Sequence, residues 1–111
     1  MKLRTIVVPK DMDAEHALNY DEAKPDQLIE VVLNEIEFKD LWEDAFFERI
    51  NNMADTNIDN YEDESIVDRE KLRKVLSNDI FNRSTNTSKI NQIRGLFEEA
   101  IKRETGIYFY F

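Results

Sequence analysis

The acidic side chains are the first candidates for chemistry in this sequence, because the other reactive groups are scarce. The 111 residues include 24 aspartates and glutamates, one histidine and no cysteine. Nucleophilic catalysis requires a base beside the nucleophile. The single histidine, His16, lies in an acidic stretch and reads as solvated, and no G-x-S-x-G sequence occurs. Gly95 and Gly106 stand alone, so there is no phosphate-cradling loop and no dinucleotide fingerprint. Lack of cysteine removes disulfides, thiolate nucleophiles and cysteine–zinc sites. Two carboxylates can share acid–base work when their surroundings split their pKa values. With acids this abundant, chance pairs are expected and none is singled out. The expectation is a protein that is not an enzyme and needs no cofactor.

Two stretches could hold a hard cation. One runs from Asp11 through Asp13 and Glu15 to His16. The other begins like a calcium loop, with Asp55, Asn57 and Asp59 at its first, third and fifth positions. It then departs from the motif. Asn60 stands where glycine makes the turn, and Ile66 where a bidentate glutamate belongs. No metal site is expected there, and cation binding is kept as an alternative function.

The remaining feature is a cluster around one tyrosine: Asp55, Asp59, Tyr61, Glu62, Asp63, Glu64 and Asp68, with Glu70 close by. So many like charges repel, and the fold gains nothing locally from them. They read either as a solvated loop that resists aggregation or as a surface that meets lysines and arginines. Tyr61 is the informative member, since aromatic residues are enriched at interface hot spots. The acids around it would steer and select a basic partner. These seven residues are the expected partner-binding site.

Charge patterning points the same way. The net charge is −9, yet residues 10–66 hold 18 acids and 4 bases, and residues 67–111 hold 6 acids and 9 bases. A field of this kind speeds encounter with a basic protein and repels nucleic acid and anionic lipid. No apolar run is long enough to span a membrane, and the N-terminal apolar run is too short for a signal peptide. A cytoplasmic location is expected.

The elements that must position these acids follow from periodicity. Length predicts one domain, residues 1–111, able to bury roughly 65% of its unfolded surface. Residues 3–8 read as a strand ending at Pro9. Residues 10–24 read as a loop with one helical turn near 14–18. Pro25 opens a predicted helix carrying Leu28, Ile29, Val32, Leu33 and Ile36 at helical spacing. Phe38, Leu41, Trp42, Ala45, Phe46, Ile50 and Met53 predict a second amphipathic helix. Its aromatics read as core rather than a ligand box, although Phe47 falls off the main stripe and either widens the buried face or lies exposed. A short extended segment is expected at 65–67. Asp68 predicts an N-cap for a helix burying Leu72, Val75, Leu76 and Ile80. Residues 82–88 read as a polar loop, whose Thr87 or Ser88 caps a last helix. That helix carries Ile90, Ile93, Phe97, Ala100 and Ile101 inward, with Gly106 as its stop signal. Ile107, Phe109 and Phe111 would share one strand face and Tyr108 and Tyr110 the other. The fold class is α+β and mainly helical. About four helices pack on a small sheet that the N- and C-terminal strands form together.

The order of these parts resembles the small acidic immunity proteins of bacterial toxin–immunity systems. An aromatic helix, FKDLWEDAFFERINNM, leads into IDNYEDESI, and a terminal GIYFYF follows the last helix. The resemblance implies a stoichiometric inhibitor that binds and blocks a basic toxin domain, often a nuclease. The alternatives are a nucleic-acid mimic that blocks a defence or DNA-binding protein, and the cation-binding protein above.

Overall fold

The computed structural model describes residues 4–59, 63–82 and 87–111. Strand β1 (Arg4–Pro9) lies inside the sheet and organises it. Its β-branched run RTIVV pairs antiparallel on one side with β2 (Leu28–Leu33) and on the other with β4 (Ile107–Tyr110). β3 (Glu64–Ile66) adds to β4, giving the order β2-β1-β4-β3. The pairing of the first and last strands thus closes the domain, as expected.

Strand alternation divides the sheet into two faces. Ile6, Val8, Val31, Leu33, Ile66, Ile107 and Phe109 turn inward and are buried. Four helices cover that face: α2 (Glu35–Glu43), α3 (Phe46–Ala54), α4 (Arg69–Leu76) and α5 (Thr87–Arg103). The short helix α1 (Met12–Asn19) buries Ala14, and Tyr108, on the other face of the sheet, hydrogen-bonds its Glu15. The fold is α+β and mainly helical, with five helices and a four-stranded antiparallel sheet among the described residues. No helix among them is long and apolar enough to cross a membrane.

Three expectations are corrected. The predicted helix after Pro25 is a 3-10 turn, Pro25–Gln27, followed by strand β2. Its apolar residues satisfy a period of two as well as 3.6, since Ile29, Val31 and Leu33 alternate with Leu28, Glu30 and Val32. All six residues pair with β1, and their β-branched side chains suit that surface. The loop at 10–24 holds a two-turn helix, capped where the Asp11 carboxylate accepts from the Ala14 amide at 2.8 Å.

The predicted aromatic helix is two helices. α2 opens at a capping box, in which Asn34 and Glu37 each accept from the other's backbone amide at 2.8 and 2.9 Å. It ends at Asp44, and Ala45 turns the chain through a left-handed conformation, φ 59°. α3 therefore starts with a new phase. Phe46, Phe47 and Ile50 all enter the core, while Trp42 is left 43% exposed.

The expected extended segment at 65–67 is β3, and Asp68 caps α4 by accepting from the amides of Glu70 and Lys71. Gly106 follows α5 as expected but does not make its turn. Glu104 does, at φ 58°. A Cβ on Gly106 would lie 2.6 Å from Val67 Cγ1 and 2.9 Å from the Ile66 carbonyl oxygen, so glycine is required for β3 to approach. The polar loop expected at 82–88 falls largely on residues 83–86, outside the described residues.

Candidate functional site

The acidic stretch after α3 is anchored by one side chain. Asn51 Oδ1 accepts from the Ile58 amide at 2.7 Å and the Thr56 hydroxyl at 2.9 Å, and its Nδ2 donates to the Ile58 carbonyl at 3.0 Å. With Ile58 buried beneath, the backbone of residues 56–58 is held against α3. Asp55 sits just before this anchor in a left-handed conformation, φ 53°, and is exposed.

The expected site residues are divided among different tasks. Asp59 lines a cleft with Trp42, Glu48, Asn51, Asn57 and Ile58. Tyr61 and Glu62 lie outside the described residues. Glu64 is opposite Phe109 in the sheet register. Its carboxylate accepts from the backbone amides of Asn57 at 3.0 Å and Ser65 at 2.9 Å. Asp68 is engaged as the cap of α4. Asp63 is exposed, on the side of the sheet that carries Tyr110.

That side holds residues the sequence reading missed. Tyr108 and Tyr110 stack with centroids 6.4 Å apart and an interplanar angle of 13°. They form the floor of a groove of about 260 Å³ whose walls include Leu18, Asn19, Asp63 and Ser65. The Tyr108 hydroxyl donates to Glu15 at 3.0 Å. Burial, then the charge of Glu15, holds the Tyr108 phenol well above its usual range. The Tyr110 phenol is raised by burial, then by Asp63 and Asp21. Both rings stay neutral across the physiological range and offer aromatic faces beside three carboxylates. Alternation along β4 had placed the two tyrosines together. The convergence of Glu15, Asp21 and Asp63 on them had no local signal, because it depends on how α1 and β3 dock.

The second missed residue is Trp42. Its ring lies 5.6 Å from Phe38 and 6.2 Å from Phe47, yet much of it faces solvent. Asp59 thus lines one concave surface with Trp42, and Asp63 another with Tyr108 and Tyr110. Among the described residues, no group of three or more histidine, aspartate or glutamate side chains is placed to share a metal ion. His16 is exposed and its ring lies 4.7 Å from that of Tyr20.

Compared with known protein families, curated proteins and solved structures, the chain matches none.

Proposed function

We propose that this chain is an acidic protein-binding module that neutralises a basic partner in the cytoplasm, as immunity proteins neutralise toxin domains. The observation that carries the reading is how its carboxylates are partnered. On α5 and its end each acid has an arginine: Glu98 with Arg94 at 4.0 Å, Glu99 with Arg103 at 2.7 Å and Glu104 with Arg69 at 2.6 Å. Among the described residues, no lysine or arginine lies within ion-pair distance of Glu15, Asp21, Glu48 or Asp63. Charges left without a counterion in the fold remain available to one on another molecule, and they accelerate its approach.

Backbone geometry supports the same reading. Asp21 and Asp55 both occupy left-handed positions just past helix ends. Glycine is favoured at such positions, and a negative charge opposes the helix dipole there. The fold does not benefit from these two acids, which suits residues retained for a partner.

The test begins with affinity capture from host cells, using the intact chain, to identify the partner. Association kinetics then compare the wild type with an Asp21→Lys/Asp63→Lys variant. The variant is expected to associate about tenfold more slowly or worse, with a weaker dependence on salt and a nearly unchanged melting temperature. Identical association rates at low and high salt would remove these acids from the interface.

A further inference from the structure

The two edges of the sheet are finished differently. β3, at one edge, has three residues, and Glu64 turns its own carboxylate onto the outward-facing Ser65 amide at 2.9 Å. β2, at the other, has six residues in unbroken register with β1. The Lys10 amide donates to the Gln27 carbonyl at 2.9 Å, so these two residues form a hydrogen-bonded pair. Antiparallel ladders alternate between bonded and non-bonded pairs. Val8 with Ile29, Ile6 with Val31 and Arg4 with Leu33 are therefore the bonded pairs. The peptide groups of Leu28, Glu30 and Val32 turn away from β1. Two side chains agree with this phase. Lys89 Nζ donates to the Val32 carbonyl at 2.9 Å from outside the sheet, and the Thr105 hydroxyl donates to the Pro9 carbonyl at 2.8 Å from the β4 side. The Leu28 amide bonds to the Pro25 carbonyl within the 3-10 turn. Among the described residues, the amide and carbonyl of Glu30 and the amide of Val32 have no protein partner.

We propose that β2 accepts an extended segment of the basic partner as a fifth strand, antiparallel like the rest of the sheet, with a lysine or arginine of that segment opposite Glu30. The inference rests on the binding reading above and names the way the partner docks. An open edge offers main-chain bonds to any strand, and alternate side chains then choose which strand is taken. Leu28, Glu30 and Val32 share the face turned from the four covering helices; Leu28 is half-buried, Glu30 is exposed and Val32 is 39% exposed. An apolar–acidic–apolar row is matched by an apolar–basic–apolar row, since directly opposed side chains on one face interact. Among the described residues, no lysine or arginine lies within ion-pair distance of Glu30. A second copy of this chain is a poorer occupant. It brings another net charge of −9, and its own β2, LIEVVL, has no cation to set against Glu30.

The edge is also formed in advance. Every residue of β2 is already paired with β1, so only the incoming segment has to be ordered.

The probe is acetyl-Val-Thr-Lys-Thr-Val-amide, titrated into the intact chain and followed by amide chemical shifts and hydrogen exchange. Its controls are the same peptide with glutamate in place of lysine, and the same peptide N-methylated at the lysine nitrogen. In the free chain the Glu30 and Val32 amides should exchange fast and those of Ile29 and Val31 slowly. The lysine peptide is expected to saturate with a Kd of the order of 1 mM, with shifts centred on Glu30 and Val32 and slowed exchange there. The N-methylated peptide, which loses a bond to the edge, should bind about tenfold more weakly or worse. The glutamate peptide should bind about fivefold more weakly or worse. Glu30→Gln should remove the preference for lysine over glutamate without preventing binding. Glu30→Pro removes an amide that the fold does not use, at a position where an edge strand tolerates proline, and should abolish binding with the melting temperature nearly unchanged. Failure of the lysine peptide to shift Glu30 and Val32, or equal binding of all three peptides, would overturn the assignment. So would a dimer in sedimentation with the Glu30 amide already protected, which would give the edge to a second copy. The captured partner separates the two ideas. If Asp21→Lys/Asp63→Lys slows its association while the Glu30 and Val32 amides exchange as fast in the complex as in the free chain, the module reading stands and strand addition fails.

Discussion

At the residue scale, Tyr108 shows how a candidate binding surface and a stability device can share one group. It is 8% exposed and donates to a carboxylate that is 93 residues distant in sequence. Because burial and Glu15 raise its pKa, folding favours the neutral phenol. The stability this group contributes is complete below the unfolded phenol value of about 10 and is lost as pH rises towards the folded value. Tyr108→Phe should remove that loss while sacrificing, at neutral pH, a hydrogen bond to a charged acceptor worth about 1–2 kcal/mol. Urea denaturation of both proteins from pH 8 to above pH 11 would measure it. The wild type should lose stability more steeply above pH 10 than the variant, with a residual slope in the variant from Tyr110. Parallel curves would show that the Tyr108 phenol is not held neutral by the fold. The strand face of Tyr108 was legible from alternation with Ile107 and Phe109, whereas its partner was not, since only docking of α1 brings Glu15 there.

At the element scale, the break at Asp44–Ala45 decides which aromatic is core. In one uninterrupted helix Phe47 would lie about 180° from Phe38, on the solvent side, and Trp42 would be buried. The left-handed turn at Ala45 reverses that outcome. Phe47 is 1% exposed, with ring contacts to Phe38, Phe46, Phe109 and Phe111. We expect Phe47→Ala to destabilise by about 3–5 kcal/mol and Trp42→Ala by about 1–2 kcal/mol, since only the first opens a core cavity. Chemical denaturation gives both values, and a larger loss at Trp42 would mean that the helix runs through without a break. This break had little local signal, because neither glycine nor proline marks it. β2 was misread for a related reason: a short apolar run fits both periods, and its pairing with β1 decides between them. By contrast, α4 and α5 were legible because each carries a single stripe, although Ile80, read into α4, lies in a 3-10 turn, Asp79–Asn82, beyond its end.

At the scale of the whole molecule, the charge asymmetry read from the sequence corresponds to two regimes in the structure. On α5 and its end Glu98, Glu99 and Glu104 are paired with arginines, while several of the acids before β3 lack a cation among the described residues or sit where the backbone would favour another residue. Repulsion among the latter should oppose folding, and salt should relieve it over a screening length of about 8–10 Å at physiological ionic strength. Replacing Asp21 and Asp55 by asparagine keeps a residue that tolerates the left-handed conformation and removes only charge. Replacing both by glycine relieves the conformation as well, by roughly 1–2 kcal/mol per site before the extra freedom of unfolded glycine takes back about 0.5–1 kcal/mol. The asparagine variant should therefore melt above the wild type at low salt, with the gap closing at high salt. The glycine variant should keep part of its gain at every salt concentration. If both acids serve a partner, each variant should also bind it more weakly, so that stability and affinity move in opposite directions. A drop in melting temperature on removing the charges would mean that the fold uses these acids for itself. The reading of this surface as one held for another protein would then lose its main energetic support.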